Sequence, residues 1–107
     1  MNYSDLYNAS LPNPTTEIHN DGELRKAYVC ASAYLTFALY EKGVSTDRDL
    51  SAALVTAETH SLDTEQTPEE YLTKAIQELA YVERNVDDSH IQKDCERIRR
   101  SLQKVLE

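Results

Sequence analysis

The side chains able to do chemistry are few and scattered through the chain. None of the three histidines, His19, His60 and His90, belongs to a recognisable metal-ligand motif, and the nearest cluster, His60 with Glu58 and Asp63, lies on a polar stretch that reads as solvated surface. Cys30 and Cys95 lack CxxC spacing and fall on apolar helix faces, so they read as reduced, inert core thiols. A serine or cysteine nucleophile would need a base brought in from a loop. Gly22 and Gly43 stand alone, which excludes a glycine-rich phosphate loop. The carboxylate pairs Glu69-Glu70 and Asp87-Asp88 are accounted for as first-turn charges at helix N-termini. The sequence therefore predicts no enzyme, no cofactor and no metal.

What remains is charge and its arrangement. The 107 residues carry a formal net charge of −8. Residues 1–88 hold sixteen acids against six bases, whereas residues 89–107 hold three against five. An acidic body repels nucleic-acid phosphates and anionic lipid and attracts basic protein surfaces. Its densest stretch, from the end of one predicted helix into the start of the next, contains Glu58, Asp63, Glu65, Glu69 and Glu70. The basic end has helical order. Lys93, Arg97, Arg100 and Lys104, spaced 4, 3 and 4, lie opposite the apolar stripe of the last helix. They form either a docking ridge for an acidic partner, nucleic acid or neighbouring subunit, or a solvated face in which Glu96 pairs with Arg100. No aromatic residues interleave the ridge, which argues against nucleic acid. Seven tyrosines with one phenylalanine and no tryptophan suit half-covered protein contacts, with Tyr3, Tyr7 and Tyr81 as candidates.

The element that must organise these groups is the segment of residues 27–40, AYVCASAYLTFALY, whose only conventionally polar side chains are Ser32 and Thr36. At about 100° per residue it is apolar on nearly every side. It is also shorter than the roughly 18 to 20 residues that cross a bilayer, so it reads as a central core helix, covered by its own domain or by a second subunit. A helix is predicted over residues 21–42, capped by Asp21 and stopped at Gly43. A second opens at Ser45 or Thr46 and runs to Glu58, with Leu50, Ala53, Leu54 and Ala57 on one face. Residues 59–66 read as a loop. The third begins at Thr67-Pro68-Glu69-Glu70, where Thr67 caps, Pro68 takes the first position and Glu70 returns a bond to the cap. Leu72, Ala75, Ile76, Leu79, Val82 and Val86 form its stripe. The fourth starts at Ser89, with Gln92 completing a capping box, and buries Ile91, Cys95, Ile98, Leu102, Val105 and Leu106.

The predicted fold is all-α, a small four-helix bundle over residues 21–107 preceded by an extended N-terminal arm, residues 1–20, whose Tyr3, Leu6, Tyr7 and Leu11 can dock on it. No export or membrane signal opens the chain, and a cytoplasmic setting is expected. The stretch LYEKGVSTDRDLSAAL resembles the opening of a helix-turn-helix module, a helix ending at Gly followed by a short capped helix. That resemblance implies a DNA-binding regulator, although the helix after it carries Glu69, Glu70, Glu78 and Glu83 against Lys74 and Arg84. The function expected from the residues themselves is a non-enzymatic protein–protein interaction module that engages a basic protein surface. Its specific form is an inhibitor of phage or mobile-element type that blocks a nucleic-acid-binding protein by placing carboxylates where phosphates would go. The rival expectation is an assembly subunit in which the apolar helix and the basic ridge build a homo-oligomer, a homodimer in the simplest case.

Overall fold

The computed structural model describes residues 2–8, 11 and 15–107. The described residues are all-α: a 3-10 helix, Tyr3–Asn8, and five α-helices, α1 (Thr16–Asn20), α2 (Gly22–Glu41), α3 (Asp47–His60), α4 (Pro68–Asn85) and α5 (Ser89–Leu106). The expected extended arm falls partly outside the described residues, at 1, 9, 10 and 12–14. Within them, Tyr3–Asn8 and Thr16–Asn20 are helical rather than extended. Asn2 and Asp5 exchange side-chain and backbone bonds that start the 3-10 turn. Leu6 and Ile18, at 1% and 0% exposure, supply the apolar anchors that hold these two short elements down.

Helix ends are set by side chains reaching orphan amides. The Asp21 carboxylate accepts from the Glu23 and Leu24 amides at 3.0 Å each. Thr46 with Asp49, and Thr67 with Glu70, form reciprocal capping boxes on α3 and α4. Gly43, at φ +73°, lets the chain turn out of α2 while the Val44 amide bonds back to the Leu39 carbonyl. The expected Ser89–Gln92 box is corrected. Asp88 caps α5, its carboxylate accepting from the His90 and Ile91 amides, because a carboxylate one residue earlier is the better acceptor for the first-turn donors. Gln92 turns away to donate to the Glu83 carbonyl at 2.8 Å.

Helix α2 lies at the centre, with eleven of its residues buried. The backbones of the four long helices approach one another in the order α3, α2, α4, α5, and Tyr28 of α2 also reaches the neighbourhood of Cys95 and Asp94 of α5. Directions alternate along the row. Tyr40 at the end of α2 bonds through its hydroxyl to Asp47 at the start of α3, while Val29 shares a groove with Val55 and Thr56. Tyr34 and Phe37 of α2 meet the Tyr71 ring of α4 at 6.3 and 5.3 Å between centroids. A three-residue turn then reverses the chain into α5. The short N-terminal elements close the gaps: the 3-10 helix touches α2 and α5, and α1 lies on α2. The apolar surface of α2 is thus covered by its own chain.

On α4 the expected stripe is buried at Leu72, Ala75, Leu79, Val82 and Val86, with Ile76 half-buried. Tyr71, absent from that stripe, is the largest fully buried side chain, because the first turn of α4 meets the aromatic end of α2. On α5, Ile91, Cys95, Ile98 and Leu102 are buried as expected, Val105 is half-buried and Leu106 is 36% exposed. The reading of α3 is corrected. Ala53 and Ala57 are buried and Leu50 is half-buried, but Leu54 is 45% exposed. The helix is rolled so that its two small side chains, rather than its leucines, make the close approach to α2.

Candidate protein-interaction site

The acidic residues divide into those that serve the fold and those that do not. Asp21, Asp49, Glu70 and Asp88 saturate helix N-termini. Glu17 of α1 does the same across the fold, its two carboxylate oxygens accepting from the Asp87 and Asp88 amides at 2.6 and 3.0 Å. Ion pairs consume others. Among the described residues there are three, Arg97–Asp94, Arg99–Glu83 and Arg100–Glu96, and all three involve α5. Arg99 and Glu83 form a two-pronged, largely buried pair at 2.6 and 3.1 Å, and this bond to Glu83 raises the guanidinium pKa further.

What is left gathers where the end of α2 meets the start of α4. Burial raises the Tyr71 hydroxyl pKa, a bond from the Gln66 backbone opposes that shift, and Glu41, Asp63 and Glu65 add to it from nearby. Burial likewise raises the Tyr3 pKa, with Glu69 adding to it. Four exposed carboxylates, Glu41, Asp63, Glu65 and Glu69, therefore converge on one end of the molecule; none belongs to an ion pair among the described residues, and Lys42, over the Tyr3 ring, shares this end with them. Asp63 accepts the Glu65 amide at 2.9 Å, which turns the loop and fixes the spacing of the two side chains. The carboxylates of Glu41, Glu65 and Glu69 make no hydrogen bond among the described residues. Beside them, Glu69 and Glu70 flank a shallow groove of about 320 Å³ on the outer side of α4, with Gln66 at its head.

The structure brings together only part of the expected set. Asp63, Glu65, Glu69 and Glu70 share this end of the fold. Glu58 does not: it sits in the last turns of α3, where Thr59 and His60 line a groove with Arg25 and Lys26 of α2. Tyr81 is half-buried roughly 18 Å along α4 from Glu69, at 1.5 Å of rise per residue, and does not belong to the acidic end. Glu41, which the sequence reading missed, does belong. Its charge is masked in the sequence by the adjacent Lys42, whose ammonium instead lies 5.0 Å from the Tyr3 ring centroid. Lys93, Arg97, Arg100 and Lys104 are all exposed and line a separate groove on α5 of about 370 Å³. Arg97 and Arg100 carry acidic partners, at 3.7 and 2.6 Å, while Lys93 and Lys104 carry none among the described residues.

Burial raises the pKa of the Cys30 thiol and pushes that of Cys95 up to about 12, which suppresses thiolate chemistry at both. No three metal-ligating side chains come together among the described residues. No helix of the described residues is long and apolar enough to cross a membrane. Compared with known proteins, the chain matches no family model, no curated protein and no solved structure.

Proposed function

We propose that this chain is a non-enzymatic acidic module that works by binding a basic protein surface in the cytoplasm, with Glu41, Asp63, Glu65 and Glu69 as the contacting carboxylates. Four exposed carboxylates gathered at one end of the fold, none of them in an ion pair among the described residues, carry the reading: like charges held close repel one another, and a basic partner relieves that repulsion. In its specific form the module is an inhibitor, of phage or mobile-element type, whose carboxylates occupy the phosphate positions of a nucleic-acid-binding site. The four long helices act as the bundle that holds this end, with Tyr3–Asn8 laid against α2 and α5 and α1 laid against α2. The assembly-subunit alternative, as read from the sequence, loses its apolar-helix contact, since α2 is covered by its own chain. The helix-turn-helix alternative is weakened because α3 runs back along α2 and exposes Ala52, Leu54 and Val55 with a single cation, Arg48.

The test is kinetic. The partner captured from the source organism or its host should bind more weakly as salt rises. Glu65→Lys with Glu69→Lys should lower the association rate by about tenfold without altering the helical circular dichroism. Competition with the partner's nucleic acid should accompany this. Salt-independent binding that survives both reversals would eliminate the acidic end as the contact.

A further inference from the structure

The spatial order α3, α2, α4, α5 leaves two edge helices, and their outer faces are complementary. On α3, Asp47 and Glu58 stand eleven positions apart with the exposed Leu54 and Val55, at 45% and 65%, between them. On α5, Lys93 and Lys104 also stand eleven positions apart, with Arg97 and Arg100 between them. At 1.5 Å per residue both spans are about 16 Å.

The inner cations of α5 are already balanced by Asp94 and Glu96, so their aliphatic stems are the surface they offer, while the two outer lysines remain unpaired among the described residues. The acids of α3 lie at the ends and its apolar side chains in the middle, which is the matching pattern. Asp47 accepts the Tyr40 hydroxyl at 2.8 Å through one oxygen and keeps the other. Arg48, also exposed on this helix, points about 100° away from Asp47, and Asp49 is committed to its capping box. Direction agrees as well. Because the helices alternate along the row, a second copy displaced along it sets its α3 antiparallel to the α5 of the first, the orientation that pairs Asp47 with Lys104 and Glu58 with Lys93.

We infer that copies of this chain associate edge to edge, α5 of one seated on α3 of the next. The contact is head-to-tail, so it propagates into a chain of copies or closes into a ring rather than stopping at a symmetric dimer. This surface is distinct from the acidic end, so either assignment can fail alone.

The experiment is a charge exchange on the full chain, followed by sedimentation velocity across a concentration series at about 0.15 M salt, where the repulsion between two net-negative copies is screened and contact pairs act. The unaltered chain should show a mass that rises with concentration beyond a dimer. Lys93→Glu with Lys104→Glu should weaken association at least about tenfold, and Asp47→Lys with Glu58→Lys should do the same. An equimolar mixture of the two variants should recover it, since each then meets an opposite edge. Val55→Asp, at a side chain 65% exposed on the rim of the groove with Val29, should also weaken association and covers the case in which the Asp47 change disturbs the start of α3. A chain that stays monomeric throughout, variants that associate as the unaltered chain does, or a mixture no more associated than its components would each overturn the inference.

Discussion

Helices α3 and α4 both pack on α2, yet they are held in opposite ways. Helix α4 brings Tyr71, Leu72, Leu79 and Val82 into the core at 1% exposure or less, and its own outer neighbour, α5, closes over the other side. Helix α3 brings two alanines, packs on α2 alone among the helices of the described residues, and leaves Leu54 and Val55 largely exposed. Burial at about 25 cal/mol per Å² makes the first contact worth several times the second. One side of α2 is therefore a consolidated core, and the other is a close but shallow contact that owes more to the caps at Thr46 and Gly43 than to area.

The sharpest test of this contrast substitutes leucine by alanine on each side. Leu72→Ala should cost about 3 kcal/mol, because the site is enclosed and cannot collapse, whereas Leu54→Ala should stay within about 0.5 kcal/mol. Comparable losses in urea denaturation would break the comparison. Next in size is the strap that covers α2 between the two regions. Leu6→Ala should cost about 2 kcal/mol, and removal of residues 1–14 more, by uncovering Leu35 and Leu39. A truncated chain with unchanged midpoint and mass would show that the segment is dispensable.

The thiols sharpen the contrast further, because Cys30 and Cys95 both lie on the α4 side. Neither should react with a thiol reagent in the native state, and neither should become reactive when α3 alone opens, although α3 amides should exchange well before those of α4. Early labelling of either thiol would mean the two sides open together. Alkaline pH tests the same side. Burial favours the protonated Cys95 thiol, so its contribution is fully present below about 9 and is lost as pH rises toward about 12. The urea midpoint should fall across that window, and Cys95→Ala should make the fall shallower. The smallest effect belongs to the shallow side. Ser61, which ends α3 at φ 55°, is a left-handed residue without glycine's freedom, and Ser61→Gly should stabilise by about 0.5 kcal/mol.

These two sides also differ in how far the sequence discloses them. On α4 and α5 the apolar stripes are long and repeat every three or four residues, so the buried face is legible residue by residue, and Thr67-Pro68-Glu69-Glu70 marks its start because the bonding is local. On α3, leucine and alanine compete for the same arc, and periodicity alone cannot say that a close helix approach will select the smaller side chain. Tyr71 escaped for a related reason: its burial depends on Tyr34 and Phe37, which lie thirty-odd positions away. The acidic end was half visible. Asp63, Glu65, Glu69 and Glu70 are near neighbours in the chain, whereas Glu41 joins them only because α2 and α4 run in opposite directions. No sequence signal separates Glu58 from that group, since the loop that carries it away is written in the same polar residues.

The bond from Glu17 to the amides of residues 87 and 88 has a consequence for the order in which the molecule assembles. Its partners are made seventy residues after it, so α1 has a helix to lie on early but no lock until the turn before α5 exists. The entropy of closing so long a loop is met late, after nearer contacts have formed. α1 is thus locked only after partners made long after it are in place, and the clasp ties it to the α4–α5 turn as one cooperative unit.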